Sequence, residues 1–234
     1  MRIVVVTSGT GEKSASAPNP LTVEDFRRGK AHVASRLLEH PEHQVAAETL
    51  YSGRQHRRLM GGVTAFRERW PAGSAHSLDL HILSPGYGLI SGDRVVCPYD
   101  ASFQGMNPSE LREWSDHLDI PGAFRRALLP HFDVAFLLLG HAYVTACAID
   151  ERVVLGGCTF LFGGGRAAAD LPTLTNLRLV PVGQAEAAAF RCPLFCLKGE
   201  LVGGWLGHLA VAPAMVDALL AGTADPVSGW REGP

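Results

Sequence analysis

The sequence predicts an α/β fold, a three-layer sandwich built on a mainly parallel central sheet. Three observations predict it. Runs such as Ile3–Thr7 and Asp133–Leu139 are apolar throughout rather than alternating, which suits strands buried on both faces. Between such runs lie stretches of helical spacing opened by capping residues. Gly- and Pro-rich loops follow the strands. Strands separated by helices imply parallel pairing with helices on both faces. The 234 residues suit one domain, 1–234, with one large core.

The elements follow in order. Ile3 to Thr7 is the first strand, running into a loop from Ser8 to Pro20. Thr22, with Asp25 three positions on, marks a helix start and predicts a helix to about Leu38. A second helix is expected over Ser52 to Arg69, then a strand over Leu78 to Leu83. Asn107-Pro-Ser-Glu opens a further helix, with Asn107 as its cap and Pro108 at the first position. Asp133 to Leu139 is the clearest buried strand. Short strands are expected at Val153–Leu155 and Leu177–Val182, a C-terminal helix at Ala212–Leu220, and a loose tail from about residue 222.

Composition narrows the function. A net charge of -2 and a pI near 6.5 argue against a protein that holds duplex nucleic acid mainly through phosphates. The clusters Arg27, Arg28, Lys30 and Arg54, Arg57, Arg58 read as solvated faces or as a local binding stripe. Five scattered cysteines with no CxxC pair give no zinc pattern and read as reduced thiols. No run reaches the roughly 18–20 apolar residues of a membrane span. A cytoplasmic protein without membrane partner, metal or cofactor is expected; the oligomeric state is not legible.

Ligands of parallel sheets bind outside the carboxyl ends of the strands. That rule selects the loops Thr7–Pro20, Ser84–Asp100, Gly140–Tyr143 and Gly156–Arg166. In the first, Gly9-Thr-Gly-Glu-Lys13 fails as a phosphate loop, because Glu12 stands where glycine should precede the lysine. It reads as a ligand-covering loop that brings Lys13 to the site. The second loop carries most. Its glycines, Gly86 among them, and Pro85 and Pro98 fix the chain path around Ser84, Tyr87, Asp93, Tyr99 and Asp100. Tyr87 or Tyr99 is expected to stack on a planar ligand, and Asp93 or Asp100 to move a proton or stabilise positive charge. The alternatives are a core-packed Tyr99, a capping Asp100 and a solvated Asp93. Gly140 precedes a helix start, with His141 as acid, base or simple cap and Tyr143 behind it. The fourth loop, with Cys158, Thr159, Phe160 and Gly163 to Gly165, is a candidate pocket wall, its thiol inert.

Leu83-Ser-Pro-Gly-Tyr-Gly-Leu-Ile followed by Pro98-Tyr99-Asp100 resembles a segment of YaaA-like proteins and their bacterial relatives. Ala47-Glu-Thr-Leu-Tyr51 and Gly140-His-Ala-Tyr143 are similar to two further elements of that family, so the likeness spans about the first two-thirds of the chain. The loop pattern is also similar to the catalytic domain of archaeosine synthases, whose fold is uracil-DNA-glycosylase-like. The resemblance implies that fold and a nucleobase, nucleoside or nucleic-acid ligand, DNA before RNA. The function expected is N-glycosidic cleavage or base modification, with Asp100, Asp93 and His141 catalytic and Lys13, Ser84, Gly86, Tyr87, Tyr99, Gly140 and Tyr143 binding. The alternative is a non-catalytic DNA-binding stress protein.

Overall fold

In the computed structural model, residues 1–163 and 171–231 are described. A six-stranded sheet forms the middle layer. Its strands are β1 (Arg2–Ser8), β4 (Ser77–Ser84), β5 (Gly88–Ser91), β8 (Val134–Leu138), β9 (Cys158–Gly163) and β10 (Leu177–Pro181), in the order β10-β9-β8-β1-β4-β5. Only β5 runs antiparallel, paired with β4. The predicted α/β class with a mainly parallel sheet and flanking helices is the observed one. Strand β1 lies between β4 and β8, and its five central residues are buried, as its unbroken β-branched run requires. Two minor pairs join β2 (Leu21–Thr22) to β7 (Tyr99–Asp100) and β3 (Val45–Ala46) to β6 (Val95–Val96).

The first predicted helix is two. Thr22 caps α1 (Val23–Arg27) through the expected reciprocal box with Asp25, but Gly29 at φ 90° ends it before α2 (Lys30–Glu39) begins. After α3 (Ala47–Leu50) comes α4 (Arg54–Arg69). Asn107 opens α5 (Pro108–His117) with its side chain accepting from Ser109 and Glu110, as its sequence predicts. Helices α6 (Ile120–Leu128) and α7 (His141–Cys147) pack with α5 as one group. The others are α8 (Gln184–Ala189), α9 (Leu194–Val211) and α10 (Met215–Ala221).

Helix α9 crosses α4 at backbone contact. A Cβ on Gly62 would overlap the Gly203 carbonyl, and one on Gly199 would overlap that of Gln55. Leu197, Leu201, Trp205 and Leu209 of α9 are fully buried in one continuous core.

Three expectations need correction. Val153–Leu155 is a loop that buries Val153 and Leu155 and exposes Val154, and the strand lies after it at Cys158–Gly163, so Cys158, Thr159 and Phe160 belong to β9 rather than a pocket-forming loop. Gly164, Gly165 and Arg166 lie outside the described residues. The tail is held, not loose, as far as residue 231: Trp205 donates to the Pro226 carbonyl, and Ala224 and Gly229 are buried.

Candidate functional site

Strand order reverses direction at β1. The chain crosses from β1 to β4 on one side, then returns to β8 on the other. Loops diverging from such a point leave a crevice at the carboxyl ends of the two strands. That rule points to the ends of β1 at Ser8 and of β8 at Leu138.

The loop leaving β1 is pinned along its length. Gly9 donates to the Leu83 carbonyl at 2.8 Å, Gly53 N–H donates to Thr10 Oγ1 at 3.1 Å, and Ser52 to the Glu12 carbonyl at 3.1 Å. Lys13 bridges to Tyr51, and Ser14 bonds the Leu50 and Thr49 carbonyls. Gly9 is needed because a Cβ there would meet the Tyr51 ring at 2.9 Å. The loop therefore holds Lys13 in place, its Nζ 4.3 Å over the Tyr99 ring. Half-burial lowers the Lys13 pKa, and the nearby Asp100 carboxylate partly restores it.

Beneath Lys13 runs a closed hydroxyl chain. Gly86 and Tyr87 backbone N–H groups donate to Ser84 Oγ, which donates to Tyr99 Oη at 3.0 Å, itself 3.0 Å from Tyr51 Oη. Phe26 packs edge-on against Tyr87 and Tyr99, and the Phe26 ring leaves no room for a Cβ at Gly86. Tyr99 is 4% exposed and Tyr51 2%. Burial lifts the Tyr51 phenol to about 12 and raises those of Tyr99, Tyr87 and Tyr143 as well, so none ionises at neutral pH.

Of the two readings of Tyr99, stacking and core packing, its burial fits core packing. Tyr99 has one face under Lys13 and its edges in the core. Tyr87 spends its hydroxyl on Cys97, donating to the carbonyl and accepting from the N–H, both at 3.0 Å. Tyr143 packs edge-on to Phe103 and donates to the Gly9 carbonyl at 2.9 Å, tying α7 to the β1 loop. These rings brace the rim; a planar ligand finds no free face on Tyr99.

Lys13, Ser84, Gly86, Tyr87 and Tyr99 thus meet, with Asp100 at the edge and exposed. Gly140 and His141 begin α7 at the end of β8, on the same rim; His141 is exposed, and a Cβ on Gly140 would meet open space. Asp93 does not join them. The β4–β5 hairpin carries the chain back down the sheet, and Asp93 borders a 590 Å³ cavity with Arg2, Asp79 and His81 at the amino ends of β1 and β4.

Two residues outside the expected set stand at the ends of β1 and β8. Gln55, in the first turn of α4, reaches Ser8 Oγ at 3.4 Å and the Leu138 carbonyl at 3.5 Å. Lys198 of α9 donates to the Leu139 carbonyl. Burial alone lowers its pKa to about 8. One signal in the sequence pointed there: a lone lysine in the apolar run Leu194–Leu197 and Leu201–Leu209.

No known family model matches the chain, and no curated protein matches it.

Proposed function

We propose that this protein is an enzyme acting on a nucleobase or nucleoside, most concretely by cleaving an N-glycosidic bond, on a uracil-DNA-glycosylase-like variant of the α/β sandwich. The observation that carries the reading is Lys13, its Nζ 4.3 Å over the Tyr99 ring with Asp100 nearby, above the Ser84–Tyr99–Tyr51 hydroxyl chain at the end of the sheet where strand order reverses. Breaking the bond develops positive charge on the sugar and negative charge on the leaving base. Asp100 serves the first, by facing the sugar or orienting water, and Lys13 and His141 serve the second. A lysine with a carboxylate nearby supplies both signs.

The test is incubation with modified and unmodified DNA, RNA and nucleosides, with mass spectrometry of released bases. Release that falls by about 10²–10⁴ on Asp100→Asn, with folding intact, is the expected result. No released or altered base from any of these substrates would overturn the reading.

One feature favours a second reading, DNA binding without turnover. Phe195 is 63% exposed with the Arg54 guanidinium 5.9 Å over its ring, and exposed Arg57 lies nearby, next to the Gln55 edge of the rim. An exposed aromatic among arginines is a platform for an unpaired base. Salt-dependent binding unaffected by Asp100→Asn would support this reading.

A further inference from the structure

Helix α2 buries none of its residues, although it carries an apolar stripe. Lys30, Val33, Ala34 and Leu37 recur at the spacing that puts them on one face. Another side of the helix is tied down: His32 and Arg36 both reach the Asp25 carboxylate, at 2.9 and 3.0 Å. Under the stripe lies open space. A 360 Å³ cavity is walled by α2, by the β4–β5 hairpin and by the junction of α5 and α6. Val33, Leu37, Leu89, Leu118 and Ala123 make most of its apolar lining. The Phe26 and Tyr87 residues of the aromatic cluster border it as well.

The polar residues of the lining divide into engaged and unengaged. Asp119 is set against Arg126, the His117 ring donates to the Phe26 carbonyl at 2.9 Å, and the Tyr87 hydroxyl is spent on Cys97. Lys30 and Arg94 make no ion pair among the described residues. Both are exposed, so they stand at the mouth, one on the helix and one just beyond β5. Two uncompensated positive charges thus border an apolar cavity, in a chain whose net charge is -2.

We propose that this cavity binds a small amphiphilic anion: a carboxylate on an aliphatic body of about eight to ten carbons. The body lies against Val33, Leu37, Leu89 and Leu118, and the carboxylate turns outward to Lys30 and Arg94. Size follows from volume. At about 30 Å³ for each water-sized group, the space holds about a dozen non-hydrogen atoms. Removing the chain from water supplies the affinity, and the two cations select the sign of the head group. Lys13, Tyr99 and Asp100 are not part of the lining, so the inference does not rest on the glycosidic reading of the rim.

The full chain is titrated with octanoate by isothermal calorimetry at pH 7. Octanol keeps the body without the charge, and acetate the charge without the body. Saturable binding of octanoate, about three- to tenfold tighter than octanol and with none for acetate, is expected. Ala34→Trp fills the cavity from an exposed helix position and should weaken octanoate at least about tenfold. Lys30→Glu and Arg94→Glu, at exposed positions, should each weaken octanoate about three- to tenfold and leave octanol unchanged. Octanol matching octanoate on the parent chain overturns the inference, and that comparison needs no variant. So does the absence of saturable octanoate binding, or parent affinity retained by Ala34→Trp.

Discussion

The most constrained residues of the rim are those that never touch solvent. Tyr99 Oη accepts from Ser84 and shares a proton with Tyr51, all three hydroxyls lying in the core. Tyr99→Phe strands two buried hydroxyls, for a loss of about 1–3 kcal/mol in urea unfolding. Tyr51→Phe acts on the same chain, so the double variant should cost less than the two losses added. Phe at both positions costing the full sum would mean that the hydroxyls do not act together.

Asp25 is the acid-sensitive residue. Burial alone would raise its carboxyl, but bonds from His32 and Thr22 and the charge of Arg36 outweigh burial and hold it well below the usual range. A depressed carboxylate adds stability that is complete above its unfolded pKa of about 3.9 and is lost as pH falls toward the folded value. Asp25→Asn should therefore lower Tm at pH 7 and flatten the decline of Tm below about pH 4. An unchanged acid limb would show that another carboxylate governs it. Lys198 has the opposite sign. Its folded pKa near 8 lies below the unfolded value, so its cost to folding is full below pH 8 and fades as pH rises toward about 10.5. Lys198→Met should raise Tm at pH 7, by about 2–4 °C for each kcal/mol recovered, with the gain gone by pH 10.5. A gain independent of pH would trace to packing instead.

At the scale of elements, the α4–α9 crossing fixes where the crevice residues stand, since Gln55 comes from one helix and Lys198 from the other. Two glycines on α9 separate backbone contact from propensity. A Cβ at Gly203 would collide with the Arg58 carbonyl, whereas Gly207 faces open space. Gly203→Ala should destabilise by about 1–3 kcal/mol despite the better helix former, and Gly207→Ala should stabilise by up to about 1 kcal/mol. Equal effects in thermal unfolding would show that the helices are not in contact there. This pairing was not legible in the sequence. The less buried positions of α9 include Phe195, Gly204, Gly207 and Val211, so the Leu194–Val211 run has no polar stripe and lacks the period that marks an amphipathic helix. The capped helices at Thr22 and Asn107 and the all-apolar strands at Ile3 and Val134 were legible, because caps and burial on both faces are written in adjacent residues. For Tyr99 the sequence offered stacking or core packing without deciding between them, since the contacts that cover its ring come from Phe26 and Lys13, far along the chain.

At the scale of the whole molecule, a parallel sheet has two unlike ends, and sequence spacing hides which end a residue reaches. Asp93 and Asp100 are seven positions apart in one loop, yet the antiparallel hairpin sends Asp93 to the amino end while β7, paired with β2, holds Asp100 at the other beside Lys13. Both carboxylates are exposed, so neutralising either one leaves the core untouched. That makes them a matched pair for locating function on the sheet. If chemistry occupies the carboxyl rim, Asp100→Asn lowers kcat/KM for base release by about 10²–10⁴, and Asp93→Asn leaves it within about twofold. The two variants should share the Tm of the parent chain within a degree or two, since exposed substitutions of this kind shift stability by less than about 0.5 kcal/mol. A larger loss from Asp93→Asn would move the active end to the cavity bordered by Arg2, Asp79 and His81. The sheet would then be used at the end where parallel strands begin, against the rule that chose the loops.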